Sequence, residues 1–124
     1  MARDAPSIEA YGDGGFRLSS EQGADARHEG SLLIVADQAR AWGVTALAEL
    51  TVASLAPVFE AGRAEVEFLL LGVGARNAQP PRAVRDALAA AGLGLEFMDT
   101  PAAARLYNVL TSEGRRLACA LIAV

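Results

Sequence analysis

Two short stretches hold the residues whose types and spacing could do chemistry. The first is Leu71-Gly72-Val73-Gly74, a glycine pair directly after an apolar run. Glycines at such a turn let backbone N–H groups come close to an anion. A dinucleotide-binding fingerprint would need a third glycine at position 77 and a helix opening there. The chain has Asn77, and the next helix signal comes at Pro80. The second stretch is Asp99-Thr100 with Arg105, Asn108 and Ser112 beyond it, at i, i+3 and i+7, so the last three share one helix face. With the two preceding strands as parallel neighbours, Gly72, Gly74, Thr100, Arg105 and Asn108 gather at carboxyl ends of strands, where open α/β sheets bind ligands. Backbone donors, one guanidinium and one amide suit an anion or a carboxylate-bearing partner. The alternative is that Thr100 caps a helix while Arg105 and Asn108 satisfy backbone groups or solvate its outer face.

Other reactive residue types offer less. Glu113-Gly114-Arg115-Arg116 is a charged turn in which Arg115 either joins Arg105 in reading an acidic partner or is simply solvated. His28 beside Glu29 has the makings of a base and its orienter, but no nucleophile adjoins them. Cys119, inside Leu117-Ala118-Cys119-Ala120-Leu121, reads as a small buried hydrophobe, and Trp42 as core or interface packing. One cysteine and one histidine exclude an internal disulfide and leave no Cys/His metal set, so no metal site of that kind is expected. All 11 basic residues are arginine, which removes any lysine Schiff base.

Bulk properties narrow the class further. The 124 residues fit one domain, and 52% apolar content supplies a core. A formal charge of −4 argues against an indiscriminate nucleic-acid binder. Met1 to Ser7 has no apolar signal core, and no apolar run approaches the ~20 residues that span a bilayer. The expectation is a cytoplasmic chain, with peripheral contact at an inner membrane and homodimerisation left open.

The elements that must position these residues follow from pattern. Ile8 to Tyr11 and Phe16 to Leu18 form a hairpin around Gly12-Asp13-Gly14-Gly15. Ser19 to Arg27 reads as a polar connector, Leu32 to Val35 as a strand covered on both faces, and Asp37 to Val44 as an irregular or edge segment. Thr51 to Gly62 is a short helix with Leu55, Val58 and Phe59 on one face, its start set by where Pro57 is tolerated. Val66 to Leu71 is a buried strand and Pro80 to Ala91 an amphipathic helix ended by Gly92. Leu95 to Met98 is a strand. Thr100 as N-cap and Pro101 at the first helical position open a helix to about Ser112, with Ala102, Leu106, Val109 and Leu110 as its apolar face. Leu117 to Ile122 closes the chain as a strand. Alternating strands and helices in the second half predict an α/β domain with a central mixed, partly parallel sheet.

Several segments, taken in order over nearly the whole chain, resemble one family. They are Tyr11-Gly12 with its glycine turn, His28-Glu29-Gly30-Ser31-Leu32-Leu33, Trp42, Leu69 to Gly74, Met98-Asp99-Thr100, Tyr107-Asn108-Val109-Leu110 and Glu113-Gly114-Arg115-Arg116. The pattern is similar to the domain-of-unknown-function family 498, whose mitochondrial member is a complex I (NADH:ubiquinone oxidoreductase) assembly factor. The resemblance implies a small three-layer α/β fold with no known catalytic activity or cofactor. It also implies a ligand or partner pocket around Gly72, Gly74, Thr100, Arg105 and Asn108, and a role in membrane-protein biogenesis. Two departures stand out: Ala104 replaces a cysteine present in many members, which removes any thiol chemistry there, and Pro101 replaces a frequent glycine.

The leading expectation is therefore a non-enzymatic binding module with a protein partner. It would assist assembly of complex I or another inner-membrane complex through a surface including Arg105, Arg115 and Trp42. The rival is an anionic-ligand binder or enzyme using the Gly72/Gly74 turn. A third reading is a regulator that dimerises through Trp42 or an exposed strand edge.

Overall fold

A computed structural model describes residues 5–19 and 26–124. Among the described residues eight strands and three helices follow one another, with two short 3-10 turns at Leu47–Glu49 and Ala53–Leu55. Strands β1 (Ser7–Gly12), β2 (Gly15–Ser19) and β3 (Ala26–Glu29) make a small antiparallel sheet. Strands β4 (Ser31–Val35), β5 (Gln38–Trp42), β6 (Phe68–Gly72), β7 (Gly94–Met98) and β8 (Leu117–Leu121) make a five-stranded mixed sheet in the order β5-β4-β8-β6-β7. The expected α/β architecture, with its partly parallel sheet and N-terminal hairpin, is the one observed.

Alternation along the strands sorts the central sheet into two apolar faces. Leu33, Val35, Leu69, Leu71, Ala118 and Ala120 face helices α1 (Ala56–Glu65) and α2 (Arg82–Ala90). Leu32, Ile34, Phe68, Leu70, Cys119 and Leu121 face helix α3 (Thr100–Ser112) and the small sheet, which contributes Ile8, Phe16 and Leu18. These are the three layers. β4, β6 and β8 are buried along their whole length, which explains why their sequences are apolar runs without polar alternation. The small residues Ala118, Cys119 and Ala120 of central β8 let both outer layers close onto the sheet.

Several details sharpen the sequence reading, in which the segment after Val35 is irregular or edge, and others depart from it. The segment after Val35 is an edge strand: β5 pairs with β4 through a two-residue turn in which Ala36 (φ 52°) and Asp37 (φ 63°) both take left-handed backbone. β3 begins at Ala26, inside the stretch expected to be a connector; residues 20–25 of that stretch lie outside the described ones. α1 starts at Ala56, with Pro57 in its first turn, and Gly62 (φ 66°) interrupts it before Glu65. Trp42 is buried, its Nε1 donating to the Ser54 carbonyl at 2.8 Å. It belongs to the core beneath α1, so it does not form part of an exposed partner surface. No helix among the described residues is long and apolar enough to cross a membrane.

Candidate functional site

Helix α3 organises every candidate residue, and its start differs by one position from expectation. Asp99, not Thr100, is the N-cap: its Oδ1 accepts from the Ala102 N–H at 2.9 Å. Thr100 and Pro101 therefore sit inside the first turn. The face turned to the sheet is Thr100, Ala103, Ala104 and Tyr107 rather than the leucine-valine stripe. Leu106 and Leu110 are half-buried, and Val109 is 52% exposed. Small residues carry the contact because the helix lies close to β6. A Cβ added to Gly72 would stand 2.8 Å from Leu121 Cδ2 and 3.0 Å from Thr100 Cα.

Thr100 is fully buried and knots three elements together. Its Oγ1 donates to the Ile122 carbonyl at 2.7 Å and accepts from the Gly74 N–H at 3.0 Å. The Thr100 N–H returns to the Gly74 carbonyl at 2.8 Å, the Ile122 N–H to the Gly72 carbonyl at 3.0 Å, and the Val73 N–H to the Met98 carbonyl at 2.9 Å. The donors of Val73 and Gly74 are thus engaged within the fold, and the glycine pair serves close packing of strand end against helix start. Asp99 is engaged in capping.

Arg105 and Asn108 sit further along α3 and face β1, away from the glycine turn. Asn108 acts as a substitute ladder partner: Oδ1 accepts from the Ile8 N–H and Nδ2 donates to the Ile8 carbonyl, both at 2.8 Å. Ile8 lies at a bulge in β1, and the side-chain amide covers an edge that would otherwise be unpaired. Arg105 Nη1 donates to the Tyr11 hydroxyl at 3.0 Å, and Tyr107 Oη to the Pro6 carbonyl at 2.8 Å. Between β1 and α3 a cleft of about 290 Å³ is lined by Ile8, Glu9, Tyr11, Ala104, Arg105 and Asn108. Glu9 accepts from the Ser7 and Ser19 hydroxyls, and those bonds, Ser19's foremost, hold its carboxyl below the usual glutamate range.

Arg115 belongs to the opposite flank. Its guanidinium carbon lies 5.3 Å over the centre of the Phe68 ring, and Nε is 3.5 Å from Glu67 Oε2. It closes one end of a groove of about 420 Å³ between α3 and β7, lined also by Phe68, Gly94, Leu95, Glu96, Leu106 and Leu110. The six candidate residues therefore fall in three places: Gly72, Gly74 and Thr100 in a structural knot, Arg105 and Asn108 against β1, and Arg115 in the groove. Sequence reasoning missed Tyr11, Glu96 and the groove itself. The half-exposed pair Leu106/Leu110, four residues apart, was its one visible signal.

Residues 8–122 match the family described as Protein of unknown function (DUF498/DUF598). The chain belongs to this family. An uncharacterized protein of Rhodobacter capsulatus is 42% identical over 116 residues, 93% of this chain and 82% of that one. The NADH dehydrogenase [ubiquinone] 1 alpha subcomplex assembly factor 3 of Danio rerio is 37% identical over 81 residues, 65% of this chain; the match spans 46% of the assembly factor's own length. Among solved structures, an outer membrane protein from Bartonella henselae superposes with TM-score 0.87 at 31% identity, over 100% of this chain and 99% of that one. Membership of the DUF498/DUF598 family thus agrees with the resemblance carried by the glycine turn and by Met98-Asp99-Thr100.

Proposed function

We propose that this chain is a non-enzymatic binding module that assists assembly of respiratory complex I or another inner-membrane complex. The observation that carries the reading is the 37% identity over 81 residues with a protein named as a complex I assembly factor. The geometry supports it in kind. Around α3 the chain offers a shallow polar cleft with Arg105 and Tyr11 on one flank, and an apolar groove ending in Arg115 on the other. Surfaces of half-buried leucines rimmed by arginine and a carboxylate suit protein contact, where apolar area contributes affinity and charge sets register. The chain acts in the cytoplasm, at or beside the inner membrane, on a protein partner.

The test is affinity capture of the tagged chain from gently solubilised cells, alongside Arg105→Ala and Arg115→Ala. Recovery of subunits of one inner-membrane complex by the wild type, and their loss with either variant, is the expected result. Recovery of no membrane-complex subunit under several growth conditions would overturn the reading.

A further inference from the structure

Among the described residues, no strand pairs with the outer edge of β7. In the parallel pairing of β6 with β7, the Gly94 N–H donates to the Glu67 carbonyl at 3.1 Å and the Met98 carbonyl accepts from the Val73 N–H at 2.9 Å. Parallel ladders use alternate residues, so Gly94, Glu96 and Met98 turn their backbone groups toward β6. Leu95 and Phe97 turn theirs outward. Neither makes a hydrogen bond beyond the sheet ladder to any described residue. Natural sheets rarely leave such an edge without a charge, a proline or a cover.

The groove runs along this edge on the α3 side. Gly94 contributes no side chain, and a Cβ there would stand 2.9 Å from Phe68 Cβ, so the glycine leaves Phe68 room in the groove lining. Leu106 and Leu110 form the far wall. Glu96 is the exposed charge on the strand itself and lies in no ion pair among the described residues, since Arg115 is committed to Glu67.

Resting on the protein-binding reading above, we propose that β7 receives one extended strand of a different protein. That strand carries a basic residue facing Glu96 and an apolar side chain that enters the groove of Phe68, Leu106 and Leu110. Charge decides against a second copy. A two-fold pairing that satisfies the outward groups joins Leu95 to Phe97 of the other copy and sets two Glu96 carboxylates directly opposite each other, an unfavourable cross-strand pair. An arginine or lysine at that position removes the repulsion and pairs the carboxylate. Strand addition then draws affinity from main-chain hydrogen bonds and specificity from alternate side chains.

Two capped nine-residue peptides of alternating valine and threonine, one with a central arginine and one with a central glutamate, test this. The arginine peptide should slow hydrogen exchange at the Leu95 and Phe97 amides and bind at least about fivefold more tightly than the glutamate peptide. Glu96→Arg should reverse that order. Equal binding of both peptides, no binding of either, protection at another edge, or self-association of the wild-type chain through β7 would each overturn the proposal. The assay needs no cellular partner. Peptide discrimination with failed capture would sink the assembly reading alone, whereas successful capture without discrimination at Glu96 would sink the strand-docking inference alone.

Discussion

Replacing Thr100 by valine isolates the knot that joins β6, α3 and the end of β8. Valine keeps the shape and removes only the hydroxyl, which is fully buried. The Ile122 carbonyl, accepting from Oγ1 at 2.7 Å and 3% exposed as a residue, loses its partner with no route to water. The Gly74 N–H loses its acceptor at 3.0 Å, but Gly74 is half-buried and can rehydrate in part. Leaving a buried group unsatisfied costs about 1–3 kcal/mol, so the pair should cost about 3 kcal/mol. For a domain of this size that lowers Tm by about 12 °C. Thr100→Ser keeps the hydroxyl and removes one methyl, at a cost of about 1 kcal/mol. Urea unfolding and calorimetry on the three proteins should rank wild type above Ser above Val. A valine variant as stable as the serine one would refute the claim that this hydroxyl, and not the packing around it, fastens the glycine turn.

Other consequences can be measured separately. Asn108→Ala removes both bonds to Ile8 and should destabilise by about 1–2 kcal/mol, with hydrogen exchange accelerating first at the Ile8 amide; uniform acceleration throughout would contradict the clamp. Ala36→Asn places a residue tolerant of left-handed backbone at φ 52° and should stabilise by about 0.5–1 kcal/mol, read as a higher urea midpoint with unchanged slope. Cys119 is fully buried, and burial raises its thiol above the ordinary cysteine range, so a thiol reagent should label it only at the global unfolding rate. Glu9, held mainly by Ser19 and then Ser7, and Glu49, held mainly by the Thr45 N–H and then its hydroxyl, have depressed carboxyl pKa values. Their stabilisation is present above the unfolded glutamate value and is lost as pH falls through the lower folded one. Carboxyl-carbon NMR titrations should give midpoints below the usual glutamate range, and ordinary midpoints would count against these bonds.

How far the sequence reveals the molecule depends on whether the deciding contacts are local. The glycine turn between β1 and β2, the apolar runs of β6 and β8 and the 3.6-residue period of α2 are local patterns, and each produced its element. Asp99-Thr100-Pro101 offers two capping side chains in succession, so propensity alone does not say which one caps; the buried Ile122 carbonyl claims Thr100 and leaves Asp99 for the cap. The buried face of α3 is hidden for a related reason. Large apolar residues normally mark the core, but close approach to Gly72 favours Ala103 and Ala104, and Val109 is left outside. β3 (Ala-Arg-His-Glu) has no apolar alternation because it is a largely exposed edge. In the candidate site, the shared face of Arg105 and Asn108 is a matter of helical spacing. Their partners Tyr11 and Ile8 lie 94 and 100 residues away, and no local pattern joins them.

The placement of β8 has a consequence for how the molecule is made. Among the described residues it alone joins the antiparallel pair β4-β5 to the parallel pair β6-β7. The hairpin can close early through neighbouring residues, and β6-α2-β7 can follow as a unit, but neither half of the sheet reaches the other until residues 117–121 slot between them. A nascent chain halted before Leu117 would therefore present two greasy inner margins, along β4 and β6, each with its main-chain groups unmet. Those are the features that recruit chaperones or seed aggregation. Cooperativity is withheld until the keystone arrives, so a chain that lacks residues 117–121 should lose the whole fold, whereas fraying at β1 costs only one flank.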